Sequence, residues 1–242
     1  MKKGSVQNVF VIFFITFIVK FGYAATWDSS VPPPFSNGEE LEIRASASGM
    51  LDVPNGFTVT IVSNGEVGAT ANRFEINTNE SGTVIWRANY RTRLGITVRG
   101  NGTFEVAAGS ISALSNSAIN SVGGNTIIIS GGVISATGNL AIRSVGGASN
   151  TVNIAGGLVI ARGTAVIGDN ALNNVISNVA VQTGGALVAY PASGTFKQGS
   201  RTALLSLPEN AEVSWGLNEE MLSGVRFGNL FAPTAGAIRV EQ

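Results

Sequence analysis

Three segments in the middle of the chain repeat one another at a spacing of 23 to 25 residues, and no other feature limits the fold so tightly. They are residues 103–124 (TFEVAAGSISALSNSAINSVGG), residues 126–147 (TIIISGGVISATGNLAIRSVGG) and the stretch from Thr151 (TVNIAGGLVIARGTAVIGDNAL). Ser112-Ala113 matches Ser135-Ala136. Ser121-Val122-Gly123-Gly124 matches Ser144-Val145-Gly146-Gly147. Gly131-Gly132 matches Gly156-Gly157. A looser fourth copy covers residues 178–189 (NVAVQTGGALVA). Each copy reads as a short apolar strand, a glycine corner, a second apolar strand ending in Ala, and a small Ala-Ile strand.

A unit this short cannot bury its own apolar face. Stacked units can, and each then supplies hydrogen-bond partners to the next. The expected fold is therefore all-β: a parallel β-helix, or β-solenoid, with strands of adjacent coils about 4.8 Å apart. Parallel crossovers are nearly always right-handed, so a right-handed coil is expected. Glycine pairs suit the corners because glycine tolerates positive φ. Thr103, Thr126 and Thr151 fall in one column, and Asn125 and Asn150 in another, with Asn174 at a looser position. Such columns suit hydrogen-bonded ladders along the stack, or a polar binding surface.

The pattern TIIISGGVISATGNLAI…GG resembles repeats found in secreted and surface proteins of bacteria, and in architecture it is similar to the pectate-lyase-like parallel β-helix superfamily. The resemblance covers residues 101–190 and, more loosely, 39–100. It implies a fold and no single activity, since that superfamily holds lyases, hydrolases, carbohydrate-binding proteins and adhesins.

The flanks read differently. Lys2 and Lys3 precede an apolar run at residues 9–19 (VFVIFFITFIV), and Gly22-Tyr23-Ala24 offers small residues for a signal peptidase. Residues 1–24 are expected to be a signal peptide, cleaved after Ala24. The rival reading, an uncleaved anchor, faces a run short of the roughly 20 residues needed to span a bilayer. Residues 25–38 form a leader with three consecutive prolines, Pro32, Pro33 and Pro34. Proline cannot donate to a sheet ladder, so this leader is expected to be a spacer or edge cover. Residues 39–190 are assigned to the β-helix. Past Tyr190-Pro191 the pattern dissolves, and residues 191–242 are expected to be a C-terminal cap or small β appendage, since open solenoid ends need covering.

Composition excludes several chemistries. Of 15 basic residues, Lys2, Lys3 and Lys20 would leave with the signal, so 12 would remain against 15 acids. That balance disfavours bulk nucleic-acid binding, which needs a strong positive field. The chain has no cysteine and no histidine. Disulfides, thiolate metal sites, cysteine nucleophiles and a Ser-His-Asp triad are thereby impossible. Glycine-rich pairs such as Gly123-Gly124 lack the GxxxxGK–helix context of a phosphate loop.

Glycoside hydrolysis usually needs two carboxylates facing one bond. Between residues 101 and 200 the only acids are Glu105 and Asp169, in different copies of the repeat. Asp169, with Asn170, Asn173 and Asn174, offers too few carboxylates for calcium and reads as a polar turn. No catalytic residue, metal site or cofactor is assigned. The densest basic and aromatic patch is Trp86, Arg87, Tyr90, Arg91 and Arg93. Exposed rings there could stack on sugars while the arginines hold carboxylates or sulfates; buried rings would only close the core.

The expected protein is thus an exported, non-catalytic solenoid. It would be extracellular, at the cell surface or periplasmic, with no membrane span once the signal is removed. Its expected partner is a polysaccharide or cell-surface glycan, not nucleic acid. A β-helix lyase or hydrolase, and a purely structural assembly module, are the alternatives.

Overall fold

The computed structural model describes residues 24–69, 74–137, 140–145, 150–161, 167–169, 178–181, 185–189, 204–206, 212–216, 223–224 and 236–241. The expected signal peptide lies outside them apart from Ala24. Every regular element among the described residues is a β-strand. Five successive coils each place one strand in each of three parallel sheets. The first coil runs through Thr58–Val62, Glu66–Ala69 and Phe74–Asn77. The second runs through Thr83–Trp86, Asn89–Thr92 and Ile96–Arg99, and the third through Thr103–Val106, Ser110–Ala113 and Ile119–Val122. The fourth uses Thr126–Ile129, Val133–Ala136 and Ile142–Val145; the fifth uses Thr151–Ile154, Leu158–Ala161 and Ile167–Asp169. The architecture is a parallel β-solenoid, as the repeats require.

The register explains why the repeats are apolar where they are. In the first sheet Val59, Val84, Phe104, Ile127 and Val152 stack in one inward column. Ile61, Trp86, Val106, Ile129 and Ile154 stack in a second. All ten are completely buried, and full burial of one such side chain is worth about 1.5–3 kcal/mol. One residue before the first column the outward positions carry Thr58, Thr83, Thr103, Thr126 and Thr151, so the threonine column extends two coils further toward the N-terminus than the repeats suggest.

The asparagine column is a buried polar seam. Asn125 and Asn150 are completely buried. The backbone N–H of Asn125 donates to Asn150 Oδ1 at 3.0 Å, and the Ser121 hydroxyl donates to the same oxygen at 2.7 Å. Asn125 Nδ2 lies 3.1 Å from Ser121 Oγ and 3.3 Å from the Val98 carbonyl. The Thr78 hydroxyl, two coils below, lies 3.0 Å from Asn125 Oδ1. Asn125 reaches that far because the same position of the intervening coil is Gly102. A Cβ there would overlap the carbonyls of Thr78 and Gly82. The amide nitrogen of Asn150 has no hydrogen-bond partner among the described residues.

The leader is built into the sheet. Ala25–Trp27 pairs in parallel with Leu41–Ile43. Trp27 is completely buried and stacks on Phe74 with ring centroids 4.5 Å apart, so it plugs the N-terminal mouth of the solenoid. Its indole N–H donates to the Ser29 carbonyl at 2.9 Å, and the Ser48 N–H donates to that carbonyl at 3.1 Å. The leader thus crosses under the first incomplete coil, with the prolines following where no donors are needed. At the other end Gly236–Glu241 pairs antiparallel with both Ala186–Ala189 and Glu212–Gly216. The parallel ladder of the second sheet ends there.

Candidate functional site

The aromatic and basic segment at 86–93 is the second coil turning from the first sheet into the second. Its corner is only Arg87-Ala88, where the third coil uses Ala107, Ala108 and Gly109. This short corner keeps in-out alternation running through it. Trp86, Ala88, Tyr90 and Thr92 point inward and are buried, whereas Arg87, Asn89, Arg91 and Arg93 are exposed.

The two rings therefore close the core. Trp86 packs edge-on against Phe74 and Tyr90, each 5.9 Å away, and its indole N–H donates to the Ala88 carbonyl at 2.8 Å. Neither Trp86 nor Tyr90 has any exposed surface. Stacking on a sugar needs an open ring face, so the expectation for these two residues resolves to a structural role. The Tyr90 hydroxyl is buried and makes no well-formed hydrogen bond. Burial pushes its phenol up from the ordinary value and outweighs the opposite pull of the Thr92 hydroxyl.

The arginines of the patch stay together on the surface. Arg99, on the third sheet, pairs with Glu75 at 2.9 Å, and Arg44 lies 3.7 Å from Glu42. Arg87, Arg91 and Arg93 have no such partner among the described residues. The register shows why. Arg91 stands between Gly68 of the first coil and Ser112 of the third. Arg87 follows Trp86, which pairs with Ile61 and Val106, so its neighbours are Val62 and Ala107. Arg93 lies beside Leu114, whose N–H donates to the Thr92 carbonyl at 3.0 Å.

Arg91 also opens a groove of about 360 Å³ on the outer face of the second sheet. Ser112 and Ser135 line it, joined by a hydroxyl hydrogen bond of 2.8 Å. Leu114 of the third coil, Val133 of the fourth and Ile160 of the fifth also line it, and Glu66 lines the end beside Arg91. The volume lies at the lower end of small-ligand sites.

Glu105 and Asp169 do not converge. Glu105 is on the outer face of the first sheet, where its carboxylate accepts from the Ser130 hydroxyl. Asp169 ends a strand of the third sheet, two coils on, in register with Ser144. Asn170, Asn173 and Asn174 lie outside the described residues. Among the described residues no three acidic side chains gather at metal-binding range. No family model, curated protein or solved structure matches the chain.

Proposed function

We propose that the protein is an exported, non-catalytic β-solenoid that binds a polysaccharide or cell-surface glycan on the flank formed by its second sheet. The observation that carries this reading is the set of three exposed arginines, Arg87, Arg91 and Arg93, without ion-pair partners among the described residues, of which Arg91 lines a surface groove. Unpaired like charges side by side repel one another and contribute nothing to the fold, whereas guanidinium groups match carboxylates and sulfates in geometry. A parallel solenoid offers a flat, periodic flank to a periodic ligand. Export rests on the lysine-led apolar run at residues 9–19 and the small residues before Ala25. The separation of Glu105 from Asp169 supports a binding role over hydrolysis, which wants paired carboxylates.

The test is retention of the purified exported protein on a panel of immobilised polysaccharides, with release of soluble sugar recorded in parallel. Retention without release is expected. Sugar release would replace the reading with an enzyme, and absence of retention on every polysaccharide would leave an assembly role in its place.

A further inference from the structure

We infer that the glycan is polyanionic and lies crosswise over the second coil, along its strand, rather than along the solenoid axis. This rests on the glycan reading above. Residues 87–93 alternate exposed and buried without a break, so Arg87, Asn89, Arg91 and Arg93 form one outward line. Asn89 and Arg91 share the strand, where alternate residues stand about 6.7 Å apart, and Arg87 and Arg93 flank it at its two ends.

The cations do not continue along the axis. In the column of Arg91 the first coil presents Gly68, and the third and fourth present Ser112 and Ser135. In the column of Asn89 the first coil presents Glu66, and the third and fourth present Ser110 and Val133. An anionic chain running along the axis would meet Arg91 alone, with Glu66 repelling it at one end and the aliphatic side chains of Leu114, Val133 and Ile160 at the other. A chain crossing the second coil meets all three arginines, with the amide of Asn89 between them for a hydroxyl. Glu66 then acts as a fence on the neighbouring coil. Three arginines around one strand favour a ligand that carries several carboxylates or sulfates along its chain.

The experiment uses three polymers of one backbone: dextran, carboxymethyl dextran and dextran sulfate, with single-stranded DNA as an unrelated polyanion. Binding to one or both charged dextrans is expected, with none to dextran, and the two charged forms separate carboxylate from sulfate. Affinity should fall as salt rises from about 50 to 500 mM, and the slope of log affinity against log salt should drop by about one for each of R87A, R91A and R93A. Arg143→Ala, on the third sheet, is the neutral control. Ser135→Glu places a negative charge on the axial path, two coils from Arg91, and should change affinity less than about twofold under crosswise binding.

Salt-independent retention on plain dextran would overturn the inference while leaving the glycan reading intact. Equal binding to DNA, or arginine variants that bind like the parent, would overturn it too. A loss in Ser135→Glu as large as in Arg91→Ala would overturn the crosswise orientation. Failure on every polysaccharide of the wider panel would remove the glycan reading itself.

Discussion

Asn150 Oδ1 accepts a hydrogen bond from the backbone N–H of Asn125 across one coil, at 3.0 Å, and both residues are completely buried. A side chain thereby completes the backbone of the coil below it. Replacing Asn150 with Ala strands both that N–H and the Ser121 hydroxyl in the interior. An unsatisfied buried group costs about 1–3 kcal/mol, so Asn150→Ala should destabilise by at least that much in urea unfolding. Asn150→Asp keeps the acceptor but buries a charge, and should be no better at neutral pH.

The corner glycines give a sharper contrast. Gly132 has φ of +71°, and a Cβ there would approach Gly109 O to 2.6 Å and the Ala108 carbonyl to 2.9 Å. Gly132→Val is therefore expected to cost about 1–3 kcal/mol or more. Gly68 has ordinary φ and open space beyond it. Gly68→Ala should stay within about 0.5 kcal/mol of the parent. The two midpoints in one denaturation series check both.

Tyr90 supplies a pH dependence. Burial raises its phenol above the ordinary value of 10.0. Above about pH 10 the unfolded chain ionises first, so it binds fewer protons than the folded one and stability falls as pH rises. The contribution is complete below pH 10 and is lost as pH climbs through the raised folded value. Tyr90→Phe should remove that alkaline loss, and at neutral pH it should be at least as stable because the hydroxyl lacks a well-formed partner. Thermal unfolding of the two proteins between about pH 7 and pH 11 decides it.

The legible part of the fold was the part with equal coils. The glycine corners and Ser-Val-Gly-Gly turns of residues 103–147 recur at one spacing, so sliding the sequence along itself finds them. The second coil hides because Thr83 and Thr103 are only 20 residues apart, and its corner is Arg87-Ala88 in place of Gly-Gly. Ala25–Trp27 hides because a strand of three residues has no period to read; only the tertiary plug of Trp27 on Phe74 makes it visible. The patch at 86–93 was visible in its composition and open in its meaning. Its strict alternation already held the signal that sorts the rings inward and the arginines outward, but alternation alone does not say which set faces the core.

The arginine line carries the functional account, and it should be separable from stability. Arg87, Arg91 and Arg93 are exposed and without ion-pair partners among the described residues. Substituting any one of them with Ala should leave unfolding free energy within about 0.5 kcal/mol of the parent. A larger loss would mean that the side chain packs or pairs in a way that ties it to the fold.

The most direct measurement is calorimetric titration of the polysaccharide retained from the panel into the parent and into the triple variant R87A/R91A/R93A, with Tm recorded for both. The account expects affinity to fall on the order of tenfold or more with Tm essentially unchanged. Equal affinity of the two proteins would contradict it.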